Sequence, residues 1–324
     1  MTATGSHWTG TAGCSFAYGD SMYDLNQIKR GLSDPRAVGR EFSRLCHTRG
    51  GRYRFNPRGT GIFELDWDTL IILDACRYNT FADVADLPGT TDARYSLAPA
   101  TYEFVRANFS ETRLADTIYL GAINWFLRLR DEIGAEVFKT VDLQSDEADI
   151  EWADEELSVP APSAVTGRAK TTQANHPNKR LIVHYLQPHH PFIGPTGSEH
   201  FTHQSSSLLD VVAESSASDE TLREAYRENL RIVLQEVEEL LGTLDGRTVV
   251  TADHGEMLGD RHRYAPVKDY GHHVGIFNDP TTKVPMHVHE SGDRRQIRAS
   301  EPERTEPKGE ERLNERLRNL GYKI

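Results

Sequence analysis

The chain has 324 residues, which is long enough for one α/β domain with a small appendage. It carries 49 acidic and 37 basic residues, and its formal net charge is -12 at pH 7. That balance argues against general nucleic-acid binding, because a polyanion binds to a surface with a net positive charge.

The cysteines and the apolar runs bear on the cellular compartment. Three cysteines (Cys14, Cys46 and Cys76) form no Cys-x-x-Cys pair, which argues against a disulfide framework and a cysteine-based zinc site. Apolar runs such as Leu70–Leu73 are too short to cross a bilayer, and residues 1–20 lack the basic and apolar regions of a signal peptide. We therefore expect a soluble, cytoplasmic protein with no integral membrane segment.

The first 60 residues are predicted to form a loose segment followed by basic helices. Ser33-Asp34-Pro35 predicts a helix start, because a capping side chain precedes a proline whose missing N–H costs nothing there. The simplest interpretation of the basic residues is a solvated helical face. The alternative is peripheral contact of residues 21–54 with an acidic partner, a phosphate or a membrane surface. The arginines concerned are Arg40, Arg44, Arg49, Arg52 and Arg54.

Residues 61–324 are predicted to form a doubly wound α/β domain with a mostly parallel sheet flanked by helices. An apolar stripe over about 218–242 predicts one long helix. Residues 142–178 and 194–217 are polar and are interpreted as insertions or loops, 290–311 as a charged mobile segment, and 310–320 as a helix. The predicted strands are Thr69–Leu73, Thr117–Ala122, Leu181–Leu186, Thr248–Ala252 and, more weakly, Val284–Val288.

Two of these strands are directly followed by an acidic residue. Asp74 directly follows the first strand, and a buried carboxylate needs a positive partner, which is either Arg77 or a metal ion. Asp253-His254-Gly255-Glu256 follows Thr248–Ala252 in the same way. A carboxylate and a neutral imidazole together suit a divalent cation such as zinc or manganese. Because ligands gather at the carboxyl ends of such strands, we expect a site there.

Two histidine pairs are further candidates. In His184-Tyr185-Leu186-Gln187-Pro188-His189-His190-Pro191-Phe192, the prolines fix the loop, which helps to aim His189 or His190 at a substrate. Gly271-His272-His273 precedes the weaker strand. Each histidine pair, taken alone, indicates a functional site only weakly.

In this order, the clusters resemble the alkaline phosphatase superfamily, in particular its sulfatase-like and phosphoglycerol-transferase-like branch. Leu73-Asp74 is similar to the branch's first metal ligand, and Asp253-His254-Gly255-Glu256 is similar to its metal-binding motif. His189-His190-Pro191-Phe192 resembles its His-x-Pro-aromatic loop and aligns His189 with a substrate-contacting imidazole. The resemblance covers roughly residues 66–324 and implies an α/β three-layer sandwich.

The resemblance also implies a nucleophile at a helix start between the first two clusters. Sulfatases use Cys-x-Pro-x-Arg or its serine equivalent for conversion to formylglycine, and neither occurs here. Thr101 is the preferred candidate, since metal coordination would lower the pKa of its hydroxyl and a helix start favours a phosphate. Alternatively, Thr101 only caps a helix, and Ser96, Thr90 and Thr91 remain in reserve.

The implied site holds one divalent ion (Mn²⁺, Zn²⁺, Mg²⁺ or Ca²⁺), and a second ion is less favoured. Ala75 stands where sulfatases carry a second carboxylate, and Tyr185 stands where two-metal phosphatases carry an aspartate. The metal ligands would be Asp74, Thr101, Asp253 and His254. His189 would be catalytic, and the groups that would bind substrate are His190, His272 and Arg77.

The implied reaction is metal-dependent hydrolysis or transfer of a phosphate ester through Thr101. The substrate would be a small-molecule or glycan-linked anionic ester. Two alternatives stay open. One is a sulfate-ester hydrolase that works without formylglycine, and the other is a non-catalytic relative that binds an anionic glycan or a protein partner.

Overall fold

The computed structural model describes residues 35–123, 125–143, 150–155, 157, 159–201, 204, 207–303, 314, 317 and 318. The expectations for residues 1–34, and most of the predicted helix at 310–320, lie outside this part. None of the helices in the described ranges has the length and apolar content that a transmembrane span requires.

The centre of the molecule is a mixed sheet of seven strands. Across the sheet the order is β2-β11-β8-β1-β7-β3-β4, and only β11 runs antiparallel to its neighbours. The strands are β1 (Thr69–Leu73), β2 (Thr90–Tyr95), β3 (Arg113–Gly121), β4 (Glu136–Asp142), β7 (Arg180–Tyr185), β8 (Gly246–Thr251) and β11 (Lys283–Ser291). Two small hairpins pair β5 (Trp152–Asp154) with β6 (Val159–Pro160), and β9 (Met257–Arg261) with β10 (Lys268–Gly271).

Helices connect the strands, which confirms the mostly parallel α/β fold predicted from the sequence. They are α1 (Pro35–Thr48), α2 (Tyr78–Val84), α3 (Thr101–Phe109), α4 (Trp125–Leu129), α5 (Pro162–Asn175), α6 (Pro195–His200), α7 (Leu208–Glu214), α8 (Asp219–Leu241) and α9 (Asp279–Thr282). The predicted long helix is α8, and the Ser218 side chain caps it by accepting a hydrogen bond from the Thr221 N–H.

The segments interpreted as polar insertions contain regular structure. Within 142–178, α5 packs against α8 through the buried residues Val165, Ala169 and Thr172, which recur at helical spacing. Short and hydroxylated side chains make that stripe weak in the sequence, so the pattern did not indicate a helix. Within 194–217 the described residues form the short helices α6 and α7.

The charged segment after β11 is hydrogen-bonded to the domain as far as residue 303, which corrects the expectation of a mobile run over that part; residues 304–311 lie outside the described residues. We call residues 292–303 the strap. Its backbone N–H groups at Arg298, Ser300 and Glu303 donate to the carbonyls of Asn178, Ala115 and Phe138. The Arg294 guanidinium binds Asp66 and Asp68. The strap therefore runs along the amino ends of β1, β7, β3 and β4.

Candidate active site

The carboxyl ends of β1 and β8 bring two acidic residues together, as predicted. The strands are hydrogen-bonded neighbours, in register from Thr69 opposite Thr248 to Ile72 opposite Thr251. Asp74 follows one strand end and Asp253 the other, and neither side chain is exposed. Side chains about 180 positions apart in the chain thus meet at one edge of the sheet.

Four donor atoms converge at this edge. Thr101 Oγ1 lies 3.1 Å from His254 Nε2 and 3.5 Å from Asp74 Oδ1. His254 Nε2 lies 3.3 Å from Asp74 Oδ1 and 3.4 Å from Asp253 Oδ2. All four side chains are fully buried. The structure therefore brings together the four residues predicted as metal ligands.

The donor set fits a divalent cation. Four tetrahedral ligands placed about 2.1 Å from an ion lie about 3.4 Å from one another, which is close to the distances between these atoms. The ring of His254 is also oriented for ligation, because its Nδ1 lies 2.8 Å from the Gly255 carbonyl. With its N–H at Nδ1, a neutral His254 would present the lone pair of Nε2 to an ion, since Nε2 is the atom that faces the carboxylates.

The two carboxylates dominate the electrostatics of the site. Burial alone would lower the pKa of His254, but the charges of Asp253 and Asp74 outweigh it and raise that pKa to about 10. Burial would raise the pKa of Asp253, and the neighbouring His254 and His184 nevertheless hold it below its usual value. The site is thus built to hold positive charge.

The turn after β1 supports Asp253 through the backbone. Ala75 has a φ of 60°, in the left-handed region that few non-glycine residues adopt. In this conformation its N–H lies 3.1 Å from Asp253 Oδ1, and the His254 N–H lies 2.8 Å from the same atom. Tyr226 fixes the turn from outside by donating its hydroxyl to the Ala75 carbonyl at 2.7 Å.

Thr101 is the first residue of α3, and Ala100 is the N-cap. The interpretation of Thr101 as the cap of this helix is therefore wrong by one position. Among the reserve hydroxyls, Ser96 donates to the Asp253 carbonyl. Thr90 and Thr91 lie on the edge strand β2, where Thr91 Oγ1 contacts His287 Nδ1. Thr101 is the candidate whose hydroxyl contacts the donor cluster.

A second group of side chains lies beside the first. The ligand atoms of His189, His190 and Glu256 lie within 4.8 Å of one another, so this group could also hold an ion. The rings of His189 and His190 stack at 4.2 Å, and the ring of His272 lies 4.2 Å from that of His254. Burial lowers the pKa of both His189 and His272. The three predicted histidines thus line one wall of the site.

Several residues of the site were not singled out from the sequence. The Glu256 carboxylate contacts His272 Nδ1 at 3.1 Å, and burial raises the pKa of Glu256 to about 7. His184 lies behind Asp253, with Nε2 3.8 Å from Asp253 Oδ2 and Nδ1 2.7 Å from the Tyr119 hydroxyl. Both Glu256 and His184 stand inside motifs that the sequence analysis quoted, and only the fold reveals their partners.

Arg77 occupies a different place from the one expected. Its guanidinium forms an ion pair with Asp260, at 2.8 Å from Nη1 to Oδ2, so the pairing with Asp74 considered from the sequence is replaced by this one. Together with Arg223, Arg227 and Tyr226 it lines a cavity with a volume of about 140 Å³. Its role in substrate binding stays a prediction.

No family model matches this chain, and no curated protein sequence matches it. Solved structures do. The C-terminal periplasmic domain of EptC from Escherichia coli, in complex with zinc, has a TM-score of 0.44 and 13% identity, over 69% of this chain and 72% of that one. BT1596, a 2-O GAG sulfatase, has a TM-score of 0.45 and 15% identity, over 72% of this chain and 65% of that one.

A phosphonate monoester hydrolase from Silicibacter pomeroyi has a TM-score of 0.42 and 16% identity, over 79% of this chain and 73% of that one. The lipoteichoic acid synthase LtaP from Listeria monocytogenes is also similar. The identities of these four structures to this chain run from 13% to 16%, and their TM-scores run from 0.42 to 0.45.

Proposed function

We propose that this chain is a metal-dependent enzyme that hydrolyses or transfers a phosphate ester through Thr101. The supporting observation is the set of distances among Thr101 Oγ1, Asp74 Oδ1 and His254 Nε2, which run from 3.1 to 3.5 Å in a fully buried cluster. A hydroxyl that only capped a helix would not need two carboxylates and an imidazole around it.

A divalent ion bound by Asp74, Asp253 and His254 would supply Lewis acidity and lower the pKa of the Thr101 hydroxyl. Thr101 Oγ1 attacks phosphorus, and its bond to phosphorus forms as the bond to the leaving alcohol breaks. The Thr101 proton ends on that alcohol. Water or an acceptor hydroxyl then attacks the same phosphorus, and the bond from phosphorus to Thr101 Oγ1 breaks. The proton of the attacking group returns to Oγ1, and phosphate or the new phosphate ester leaves.

The surrounding residues stabilise charge on the phosphoryl group. Thr101 begins a nine-residue helix, whose amino end carries a partial positive charge. Because burial lowers their pKa values, His189 and His272 are neutral at pH 7. In the neutral ring of His189 the single N–H is at Nδ1 and donates to the His190 carbonyl, so Nε2 keeps its lone pair and serves as a proton acceptor for the attacking water or hydroxyl. His190 completes this wall.

The test uses three forms of the full chain: wild type, Thr101→Ala and Thr101→Ser, each assayed on an aryl phosphate and an aryl sulfate with Mn²⁺ or Zn²⁺. We expect turnover of the phosphate by wild type, partial activity in Thr101→Ser, and a loss of at least about 10³-fold in Thr101→Ala. Full activity of Thr101→Ala would refute the covalent step. Preference for the sulfate would favour the alternative of a sulfate-ester hydrolase.

We also propose that the substrate is an anionic ester, because the same cluster of donor atoms would hold a cation beside it. The cytoplasmic location remains a prediction from the sequence.

A further inference from the structure

Helix α1 presents its apolar side chains outward. Val38, Phe42 and Leu45 are separated by four and three residues, so they form one stripe. They are 51%, 53% and 42% exposed. The face that packs on the domain is formed instead by small residues, since Gly39 lies against Val267 and Ser43 is fully buried. A surface helix normally buries its apolar face, whereas α1 exposes its apolar face to solvent.

Buried polar contacts fix this orientation. The Arg40 guanidinium donates two hydrogen bonds to the Asp269 carboxylate, at 2.7 and 2.8 Å, and the Asp269 side chain is fully buried. His47 Nε2 lies 3.0 Å from Asn278 Oδ1. Rotating the helix to bury its apolar stripe would break the Arg40–Asp269 pair and leave a buried charge without its partner.

Two further exposed apolar side chains lie in loops that contact α1. Tyr264 and Val274 are each 44% exposed. The ring of Tyr264 packs at 4.8 Å on that of His47, and Gly275, next to Val274, lies against Arg44 and Thr48. In the part of the chain that the structure describes, three of the five exposed large hydrophobic side chains form the stripe on α1, namely Val38, Phe42 and Leu45.

Positive charge adjoins the apolar stripe. Residues 42–63 contain five arginines and no aspartate or glutamate, although the whole chain has a net charge of -12. Arg49, Arg52 and Arg54 follow α1 directly and are exposed. We call these three arginines and the stripe of Val38, Phe42 and Leu45 the docking surface.

We propose that the docking surface binds peripherally to an anionic membrane, with the apolar stripe in the headgroup region and the arginines on acidic lipids. An amphipathic helix with exposed Val, Phe and Leu beside arginines has the composition of interfacial helices. Each arginine near an acidic leaflet adds to the attraction. A symmetric second copy fits less well, because it would place two identical basic surfaces against each other.

The chain that follows the docking surface contacts the loop that leads to Thr101. Asn56 donates its side-chain amide to the Ser96 carbonyl at 2.9 Å, and the Asn56 N–H donates to the Leu97 carbonyl. On the other side, the Gly275 N–H donates to Glu103 in the first turn of α3. Membrane binding does not depend on the proposed function.

The test is co-sedimentation of the full chain with vesicles of phosphatidylcholine alone, or of phosphatidylcholine and phosphatidylglycerol in equal parts. We expect binding to the anionic vesicles only, weakened by salt. Phe42→Ser/Leu45→Ser and Arg49→Glu/Arg52→Glu should each weaken it by at least about tenfold. Arg113→Glu/Arg298→Glu is the matched charge control, since both residues are exposed and lie far along the chain from α1. It should bind as wild type does.

Failure of wild type to sediment with anionic vesicles would overturn the proposal, as would equal binding by all variants. A lipid-independent dimer that Phe42→Ser/Leu45→Ser converts to a monomer would assign the surface to a second copy instead. Thermal unfolding checks that each variant is folded. Thr101→Ala should bind vesicles as wild type does. Vesicle binding therefore tests the docking surface alone, and turnover tests the proposed chemistry alone.

Discussion

The carboxylate of Asp253 is held by the backbone around it as well as by side chains. Two main-chain N–H groups, of Ala75 and His254, point at one oxygen of Asp253. The other oxygen is left facing His254 and His184. Such a division leaves one oxygen for structure and one for a ligand, and it depends on the left-handed conformation of Ala75.

Ala75→Gly should therefore stabilise the protein. A left-handed alanine costs about 1 kcal/mol or more, and glycine removes that cost but gains freedom in the unfolded chain, so the net gain is about 0.5 kcal/mol. Activity should persist, because glycine keeps the N–H that binds Asp253. Denaturant unfolding measures the difference. Ala85→Gly is the control, since Ala85 has a φ of -75°. A lower unfolding free energy in Ala75→Gly than in wild type would contradict the proposed backbone strain at Ala75.

Much of the site was predictable at the residue scale, because an acidic residue at the end of an apolar strand has a defined place in an α/β sheet. That rule located Asp74 and Asp253, and the adjacent His254 followed. The contacts of Glu256 with His272, and of His184 with Tyr119, were not predictable. They join residues from separate elements, and their distances depend on how those elements pack.

Among the elements, the strap is the clearest departure from expectation. A charged, proline-containing run predicts mobility, yet Arg294 and Arg295 find acceptors at Asp66, Asp68 and Thr69. Burial lowers the pKa of Arg295 to about 10. A charged sequence is therefore not always a loose segment, because its arginines can bind acceptors that lie at the amino ends of strands.

Arg294→Ala/Arg295→Ala should release the strap. Limited trypsin digestion should then cleave after Arg298 faster than in wild type, because its backbone N–H no longer stays on the Asn178 carbonyl. Mass spectrometry of the fragments identifies the site. Arg113→Ala, an exposed arginine on β3, should digest at the wild-type rate. Rapid cleavage of wild type at Arg298 would show that the segment is loose after all.

The β9–β10 hairpin is joined to α1 by the buried Asp269. Burial would raise the pKa of this carboxyl, but hydrogen bonds with His262, His273 and Arg40 hold it well below its usual range. A carboxyl whose pKa is lower in the folded state stabilises fully above its unfolded pKa, about 3.9, and loses that contribution as the pH falls further.

Asp269→Asn should therefore cost about 3 kcal/mol of unfolding free energy at pH 7, since it leaves Arg40 without its carboxylate. The difference from wild type should shrink below about pH 4. Urea unfolding across that range measures it. Asp83→Asn, an exposed residue of α2, should match wild type throughout. A constant difference at every pH would contradict the linkage.

Central elements were predictable and peripheral ones were not. Strand β1 is five buried apolar residues, and its pattern is unambiguous. Strand β2, with the sequence TTDARY, lies at the sheet edge and is mostly exposed, so no apolar run marks it. The opposite edge strand, β4, also escaped prediction, because its three apolar residues (Val137, Phe138 and Val141) form neither an apolar run nor a regular alternation.

For the whole molecule, the metal is the decisive test. Zn²⁺ or Mn²⁺ at about 100 times its dissociation constant should stabilise the fold by about 2.7 kcal/mol, or roughly 5 °C in melting temperature. Asp253→Asn should abolish this shift, whereas Thr101→Ala should retain part of it, since three donors remain. If none of Zn²⁺, Mn²⁺, Mg²⁺ and Ca²⁺ shifts the melting temperature, the alternative of a non-catalytic relative gains support.

The order of strands in the sheet has a consequence for biosynthesis. Strand β1 lies between β7 and β8, so both of its hydrogen-bonding neighbours leave the ribosome more than 100 residues after it. The strap then closes over the amino ends of the finished sheet. A nascent chain that stops before residue 246 has no partner for one edge of β1, and it exposes the most hydrophobic strand of the protein to water. Translation arrest in that interval would therefore be expected to recruit chaperones.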